Sequence, residues 1–264
     1  MMKNILLTGD DGYDAVGIKI LIDILAKDYQ LKITGTKSQQ SGVGGKLNIK
    51  KDIKWGQHKV RGVDALWIEG TPVDAVLLAK VYFKKKFDLV ISGINLGPNL
   101  ACGGNITSGT YSAGAMALSL QVAQRGLIMS WDCPPEYWLG ENIKNQELQK
   151  GLQEMAENAK RVLRLVFKNN FWGCELLNIN FPKDKIKKIV FTRPVTDITK
   201  FYSCDPKIDI KKHTYNYNSR TVRKGIVDFN YDGPAVQNGY VSITPCSVNF
   251  LDKPTYLKLK GKRI

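Results

Sequence analysis

The chain has 264 residues, 43% hydrophobic and 24% charged, a composition that fits one α/β domain with an appendage and a properly buried core. No stretch reaches the roughly 18 unbroken apolar residues of a membrane span, and the "ILL" near Lys3 is too short for the apolar region of a secretory signal, so a cytoplasmic protein with no membrane partner is expected. A net charge of +15 attracts polyanions, whereas five scattered cysteines without a CxxC pair argue against a disulfide framework or a zinc site.

Residues 4–8 (NILLT) read as a buried strand, and Ile18, Leu21, Ile22 and Leu25 carry the three-and-four spacing of a helix over 17–27. "YQLKITGT" is a second strand, followed by the polar, Gly-rich loop 37–48. A short strand at 65–68 leads through Gly70-Thr71-Pro72 into a helix over 73–83, with Pro72 in the first turn, where its missing N–H costs nothing. "FDLVISGIN" (87–95) is apolar on both faces, as a central parallel strand should be, and a helix rich in small residues starts at Ser108. Further on come a strand at "LIMSWD", a long amphipathic helix at 146–167 and a strand at "CELLNINF". Residues 187–244 are rich in β-formers and tyrosines, including "TVRKGIVDF", and read as an antiparallel extension. The alternation predicts a Rossmann-like, doubly wound, mainly parallel sheet in a single domain over 1–264, with a β-hairpin or oligomerisation extension within about 187–264.

The lysines fall in short runs (84–86, 187–188, 211–212 and the tail 258–263), the pattern of solvated faces rather than of a nucleic-acid module. No GxGxxG follows the first strand, which excludes the dinucleotide fingerprint. His58 and His213 lie in lysine-rich surroundings and are expected at the surface.

Asp10 and Asp11 fall at the carboxyl end of the first strand, where ligands bind on this architecture. Adjacent carboxylates must be solvated, protonated or met by a cation. "DDG" alone reads as a turn rather than a site, but other loops on the same rim carry Ser41, Asn95 and the Ser108-Gly109-Thr110 helix start, whose N–H groups form a phosphate cradle. Oxygen donors of this kind suit Mg²⁺, Mn²⁺ or Ca²⁺.

The motifs "ILLTGDDGYDAVGI", "QQSGVGG", "EGTPVDAV", "DLVISGINLGPNL", "SGTYSAGAMAL", "LLNINFP" and "GYVSITP" follow one another in an order that resembles the SurE family of survival-protein nucleotidases. The resemblance implies a metal-dependent 5'- or 3'-nucleotidase, a phosphomonoesterase of nucleoside monophosphates, with metal ligation by Asp10, Asp11, Ser41 and Asn95. Mg²⁺ or Mn²⁺ would be the cofactor, with Ca²⁺ also able to bind, and the protein would be a homodimer or homotetramer. Asp10 and Asp11 are the candidate catalytic residues, Asp11 orienting or deprotonating water. Asn99, Ser108, Gly109 and Thr110 are candidates on the phosphate side, and Gly97 is a neighbour or a turn residue. Three positions depart from the family pattern: Gly9 replaces an asparagine, Lys37 a carboxylate, and Gln40 a basic residue. The alternative is a catalytically weakened nucleotide- or polyanion-binding protein on the same fold; short RNA and polyphosphate are further ligands that the charge would admit.

Overall fold

The computed structural model describes residues 2–138, 146–183, 185–200, 202–203, 207–216, 221–222 and 228–260. Strands β1 (Asn4–Thr8), β2 (Gln30–Thr36), β3 (Trp55–Val60), β4 (Val63–Ile68), β5 (Phe87–Leu96), β6 (Ala123–Trp131), β7 (Leu176–Phe181), β8 (Lys188–Phe191) and β13 (Tyr240–Cys246) form one sheet in the order β3-β4-β2-β1-β5-β6-β7-β13-β8. The central strands from β4 to β7 are parallel; β3 joins β4, and β13 joins β7, antiparallel. Two small antiparallel pairs lie outside this sheet: β9 (Tyr202–Ser203) with β12 (Thr221–Val222), and β10 (Lys207–Asp209) with β11 (Thr214–Asn216).

Both faces of β1 are buried, because Ile5, Leu6 and Leu7 are all 0% exposed. Ile5 and Leu7 enter a cluster with Ile18, Leu21 and Ile22 of α1 (Val16–Leu25) and with Leu152, Met155 and Val162 of α5 (Gln146–Lys168). Leu6 joins the opposite cluster, with Val76 and Ala79 of α2 (Pro72–Phe83) and Ala113 and Ala117 of α4 (Gly109–Ser119). Helices on both faces explain why these strands read as unbroken apolar runs. The starts of α2 and α4 have local causes. Thr71 and Asp74 form a reciprocal capping box before α2, with Pro72 in its first turn, and Ser108 Oγ accepts from Tyr111 N at the start of α4.

The doubly wound reading holds, with additions. β3, α3 (Ala101–Thr107) and α6 (Asp232–Gln237) supplement the expected elements, and α7 (Lys253–Leu259) follows β13. The expected β-rich C-terminal region contributes β8 and β13 to the main sheet, with β8 parallel to β13 rather than antiparallel. Most of "TVRKGIVDF", along with Cys204 and the last residues of the basic tail, lies outside the described residues.

Candidate active site

The strand order turns about β1: β2 pairs with one of its edges and β5 with the other. Such a switch point opens a crevice beyond the carboxyl ends of the two diverging strands. Asp10 and Asp11 follow β1, and Asn95 sits near the end of β5, after a register shift against β6 between Ser92 and Asn95. Gly93 carries this bulge at φ 119°; a Cβ there would lie 2.1 Å from Met129 O. Thr8, Asp10, Asp11, Gly93 and Asn95 are among the residues lining a cavity of about 10 Å³, room for one water or ion.

Asp10 is 4% exposed and lies against the start of α4. The Thr110 hydroxyl donates to Asp10 Oδ1, and the N–H groups of Gly109 and Thr110 also favour its ionised form. Gly109 makes this approach possible, since a Cβ would fall 2.9 Å from both Asp10 Cβ and Oδ2. The helix-terminal donors at Gly109 and Thr110 thus meet Asp10, which is covalently held at the end of β1. Burial nevertheless raises the Asp10 pKa above the usual carboxylate value, the hydrogen bonds opposing it.

Asp11 Oδ2 accepts from Leu96 N at 2.9 Å. Its carboxyl is pushed up to about 8, first by burial and then by the charge of Asp10, while Leu96 N–H and the Gln39 side chain counteract the shift. Asn95 donates through Nδ2 to Gly97 O at 2.7 Å, so its carbonyl oxygen is the end able to serve a ligand. Ser41 is exposed and does not line the cavity; its hydroxyl accepts from Gln39 Nε2. Its loop is tied to the pair by Gln40 N donating to Asp10 O at 2.8 Å.

Asn99 is placed differently from Asn95. It is buried, with its amide donating to Ser130 Oγ at 2.8 Å and its carbonyl accepting from Asn178 and Asn180, within a buried amide network. Gly97 takes a φ of 120°, a turn conformation, beside the Trp138 ring. His58 and His213 are exposed, as expected, His58 on the edge strand β3 and His213 between β10 and β11. The Lys37 ammonium meets Glu69 at 2.6 Å and lies 4.7 Å from the Trp67 ring centre, so it is held by those neighbours. Sequence reasoning passed over Thr8 and Gln39. Thr8 Oγ1 is buried without a partner, and Gln39 lies two residues before Ser41, its only sequence signal being a polar amide in "QQSG".

Among the described residues no three His, Cys, Asp or Glu side chains converge, so a cation at the acidic pair would need neutral oxygens to complete its shell. The residues fit such an ion. A buried carboxylate, Asp10, and a half-buried one, Asp11, adjoin a cavity of ion size, an orphaned hydroxyl belongs to its lining, and the ion pairs described for this chain involve other carboxylates. A hard divalent cation suits this oxygen-only set.

A doubly wound α/β fold with an acidic, oxygen-lined site at its switch point defines a class of phosphate-handling proteins; the comparisons give the family. The model of "Survival protein SurE" matches residues 5–201, so the chain belongs to the SurE family. It is 33% identical over 275 residues to the 5'-nucleotidase SurE of Campylobacter jejuni, covering 98% of this chain and 96% of that protein. Against the 5'-nucleotidase SurE of Methanosarcina acetivorans it is 30% identical over 261 residues, covering 94% and 93%. The crystal structure of the SurE protein from Aquifex aeolicus matches with a TM-score of 0.74 at 26% identity, over 97% of this chain and 98% of that one.

Proposed function

We propose that the protein is a divalent-cation-dependent phosphomonoesterase that releases phosphate from nucleoside 5'- or 3'-monophosphates. The observation that carries this reading is the Asp10–Asp11 pair, buried at Asp10 and half-buried at Asp11, at the switch point of a SurE fold beside an ion-sized cavity. Relatives named 5'-nucleotidase support the substrate class.

Asp10 and Asp11, with Asn95 and Ser41 as neutral donors, are the residues that would hold the cation, Mg²⁺ or Mn²⁺ with Ca²⁺ as a further binder. When bound, the cation offsets charge on the phosphoryl oxygens and acidifies a water. Asp10 is the fixed member of the pair, immobilised by Thr110 and the start of α4. Asp11 orients the attacking water and accepts its proton as the water oxygen bonds to phosphorus; the ester P–O bond breaks, and the proton held by Asp11 passes to the leaving nucleoside oxygen, which restores the carboxylate. Thr110, Gly109 and Ser108 act on the phosphate side through Asp10 and the orientation of α4. Asn99 braces the Asn95 loop through its buried amide network.

Self-association belongs to the same proposal, as a homodimer or homotetramer. α7 has no buried residue, Phe250 is 97% exposed, and Ile208 and Tyr215 of the β10–β11 pair are 71% and 72% exposed, an apolar surface that a second copy would cover. No helix among the described residues is long and apolar enough to cross a membrane, and the free thiols of Cys102, Cys133, Cys174 and Cys246 support placement in a reducing cytoplasm.

The test is phosphate release from a panel of nucleoside monophosphates, with short RNA and polyphosphate beside them, in Mg²⁺, Mn²⁺ or EDTA. The wild type should release phosphate only with metal, and Asp11→Asn should lose at least about a hundredfold in kcat. Nucleotide binding without release under any metal would replace the enzyme with a binding protein on this fold.

A further inference from the structure

We propose that Gln39 is a positioning residue of the cation site: its neutral side-chain amide orients Ser41 and latches the Ser41 loop to the backbone at Trp138. The inference rests on the proposed cation-dependent activity and assigns to this chain a residue outside the ligand set.

Gln39 Nε2 donates to Ser41 Oγ and to Trp138 O, the latter at 3.3 Å. In return Ser41 N donates to Gln39 Oε1 at 3.4 Å. Elsewhere the loop is tied by Gln40 N to Asp10 O, Gly44 N to Thr107 O, Thr71 Oγ1 to Lys46 O and Asn48 to the Asp74 carboxylate. Those ties fix the height of the loop against β1, α2 and α3 but leave the direction of the serine hydroxyl open. Gln39 supplies that direction. By donating to Ser41 Oγ it occupies one lone pair and leaves the other for a ligand.

The chemistry favours an amide over a charged residue at this place. An ammonium or guanidinium beside Asp11 would neutralise the carboxylate and compete with a divalent ion. A third carboxylate would repel the pair. A primary amide donates hydrogen bonds while leaving the negative charge of Asp11 available, as partners of metal-ligating groups commonly do. Its anchor is firm, because the Trp138 indole donates to Cys133 O at 2.9 Å and its ring stands against Gly97, next to the loop of Asn95. Gln39 therefore ties the Ser41 segment to Trp138, whose ring stands beside the loop of Asn95.

The experiment is Mn²⁺ binding by calorimetry to protein stripped with EDTA, without substrate. It compares the wild type, Asp11→Asn, Ser41→Ala, Gln39→Met, the double variant Gln39→Met with Ser41→Ala, and Gln39→Ala as a second truncation. Melting temperatures in EDTA and steady-state kinetics accompany the titrations. Gln39→Met keeps the length of the side chain and removes its donors; it should weaken Mn²⁺ binding about tenfold and lower kcat with little change in nucleotide KM. Its penalty should shrink in the Ser41→Ala background, because the two act as a unit. A lower melting temperature with unchanged Mn²⁺ affinity would reduce Gln39 to a loop brace and overturn the inference, as would fully additive penalties. If the wild type and Asp11→Asn bind Mn²⁺ equally poorly, the cation-dependent reading fails, and the role of Gln39 with it.

Discussion

Gly109 and Gly9 both border the acidic pair, yet a methyl group would meet different surroundings at each. At Gly109 it would stand 2.9 Å from Asp10 Cβ and 3.0 Å from Pro72 Cγ, so either α4 or Asp10 must move. Displacing a catalytic carboxylate by a fraction of an ångström to an ångström costs on the order of ten- to a hundredfold in rate, and Gly109→Ala should lose kcat in that range while still folding. At Gly9 the nearest atoms are Gly93 N at 3.4 Å and Gly93 Cα at 3.7 Å, ordinary contact distances, so Gly9→Ala should keep its activity within about twofold. Kinetics on both variants decide the matter; equal losses would mean that the pair is not held by the start of α4. Asp11 makes a second claim at this scale. Its carboxyl shifts from 3.8 to about 8, so between these values the folded, metal-free protein binds more protons than the unfolded chain. This contribution to stability is complete below about pH 4 and is lost as pH rises through about 8. A divalent ion reverses the cost by meeting the ionised carboxylate. The rise in melting temperature on adding Mg²⁺ or Mn²⁺ over EDTA should therefore grow from pH 5 to pH 8.5; a rise independent of pH would remove Asp11 from the ion's shell.

Helix α6 begins with an aspartate that serves two distant backbone segments as well as its own helix start. Asp232 is 0% exposed; its Oδ2 accepts from Ala101 N at 2.8 Å, and its Oδ1 from Val195 N at 3.1 Å and Gly233 N at 2.8 Å. It thus fastens the start of α3, just beyond the Asn95 loop, to the C-terminal half of the chain. Asp232→Ala leaves three buried donors without an acceptor and should cost about 2–4 kcal/mol in urea unfolding. Asp232→Asn keeps one oxygen and should cost less; no difference between the two would show that the donors find other partners. This link also explains what the sequence concealed. α1 and α5 were legible because their apolar residues repeat at helical spacing over two or more turns, α2 because Gly70-Thr71-Pro72 marks its start, and β1 and β5 because they are buried on both faces. α6 is six residues long and is stabilised by segments far away in sequence, while α3, "ACGGNIT", has two glycines and no apolar stripe. β3, "WGQHKV", is an edge strand with most of its side chains in solvent, so the alternation that marks a half-buried strand is absent. The acidic pair and Asn95 could be read because strand ends on this architecture are where ligands bind. Gln39 could not, since Trp138 reaches it only through tertiary folding, and the approach of the α4 donors to Asp10 through Gly109 is likewise tertiary.

Charge and apolar surface pull the whole molecule in opposite directions. Each 29.6 kDa chain carries +15, so two copies repel at low ionic strength, yet α7 and the β10–β11 pair expose Leu257 (59%), Phe250 (97%), Ile208 (71%) and Tyr215 (72%), which gain from being covered. At about 0.1 M salt the screening length is about 10 Å, short enough to weaken the long-range repulsion while leaving apolar burial intact. Association should therefore strengthen between about 20 mM and 300 mM NaCl, and light scattering should give a mass of at least twice 29.6 kDa at the higher salt. Removing 250–264 takes away Phe250 and all of α7 and should shift the population towards the monomer, without lowering Mn²⁺ affinity at the distant strand ends. The same field acts on a nucleotide with the opposite sign: steering towards a strongly basic surface raises the encounter rate, so kcat/KM should fall as NaCl rises over this range while kcat stays nearly constant. The two salt responses separate the roles of the charge. A chain that remains at 29.6 kDa throughout, with kcat/KM still falling, would assign the positive surface to substrate capture and leave α7 without a role in assembly.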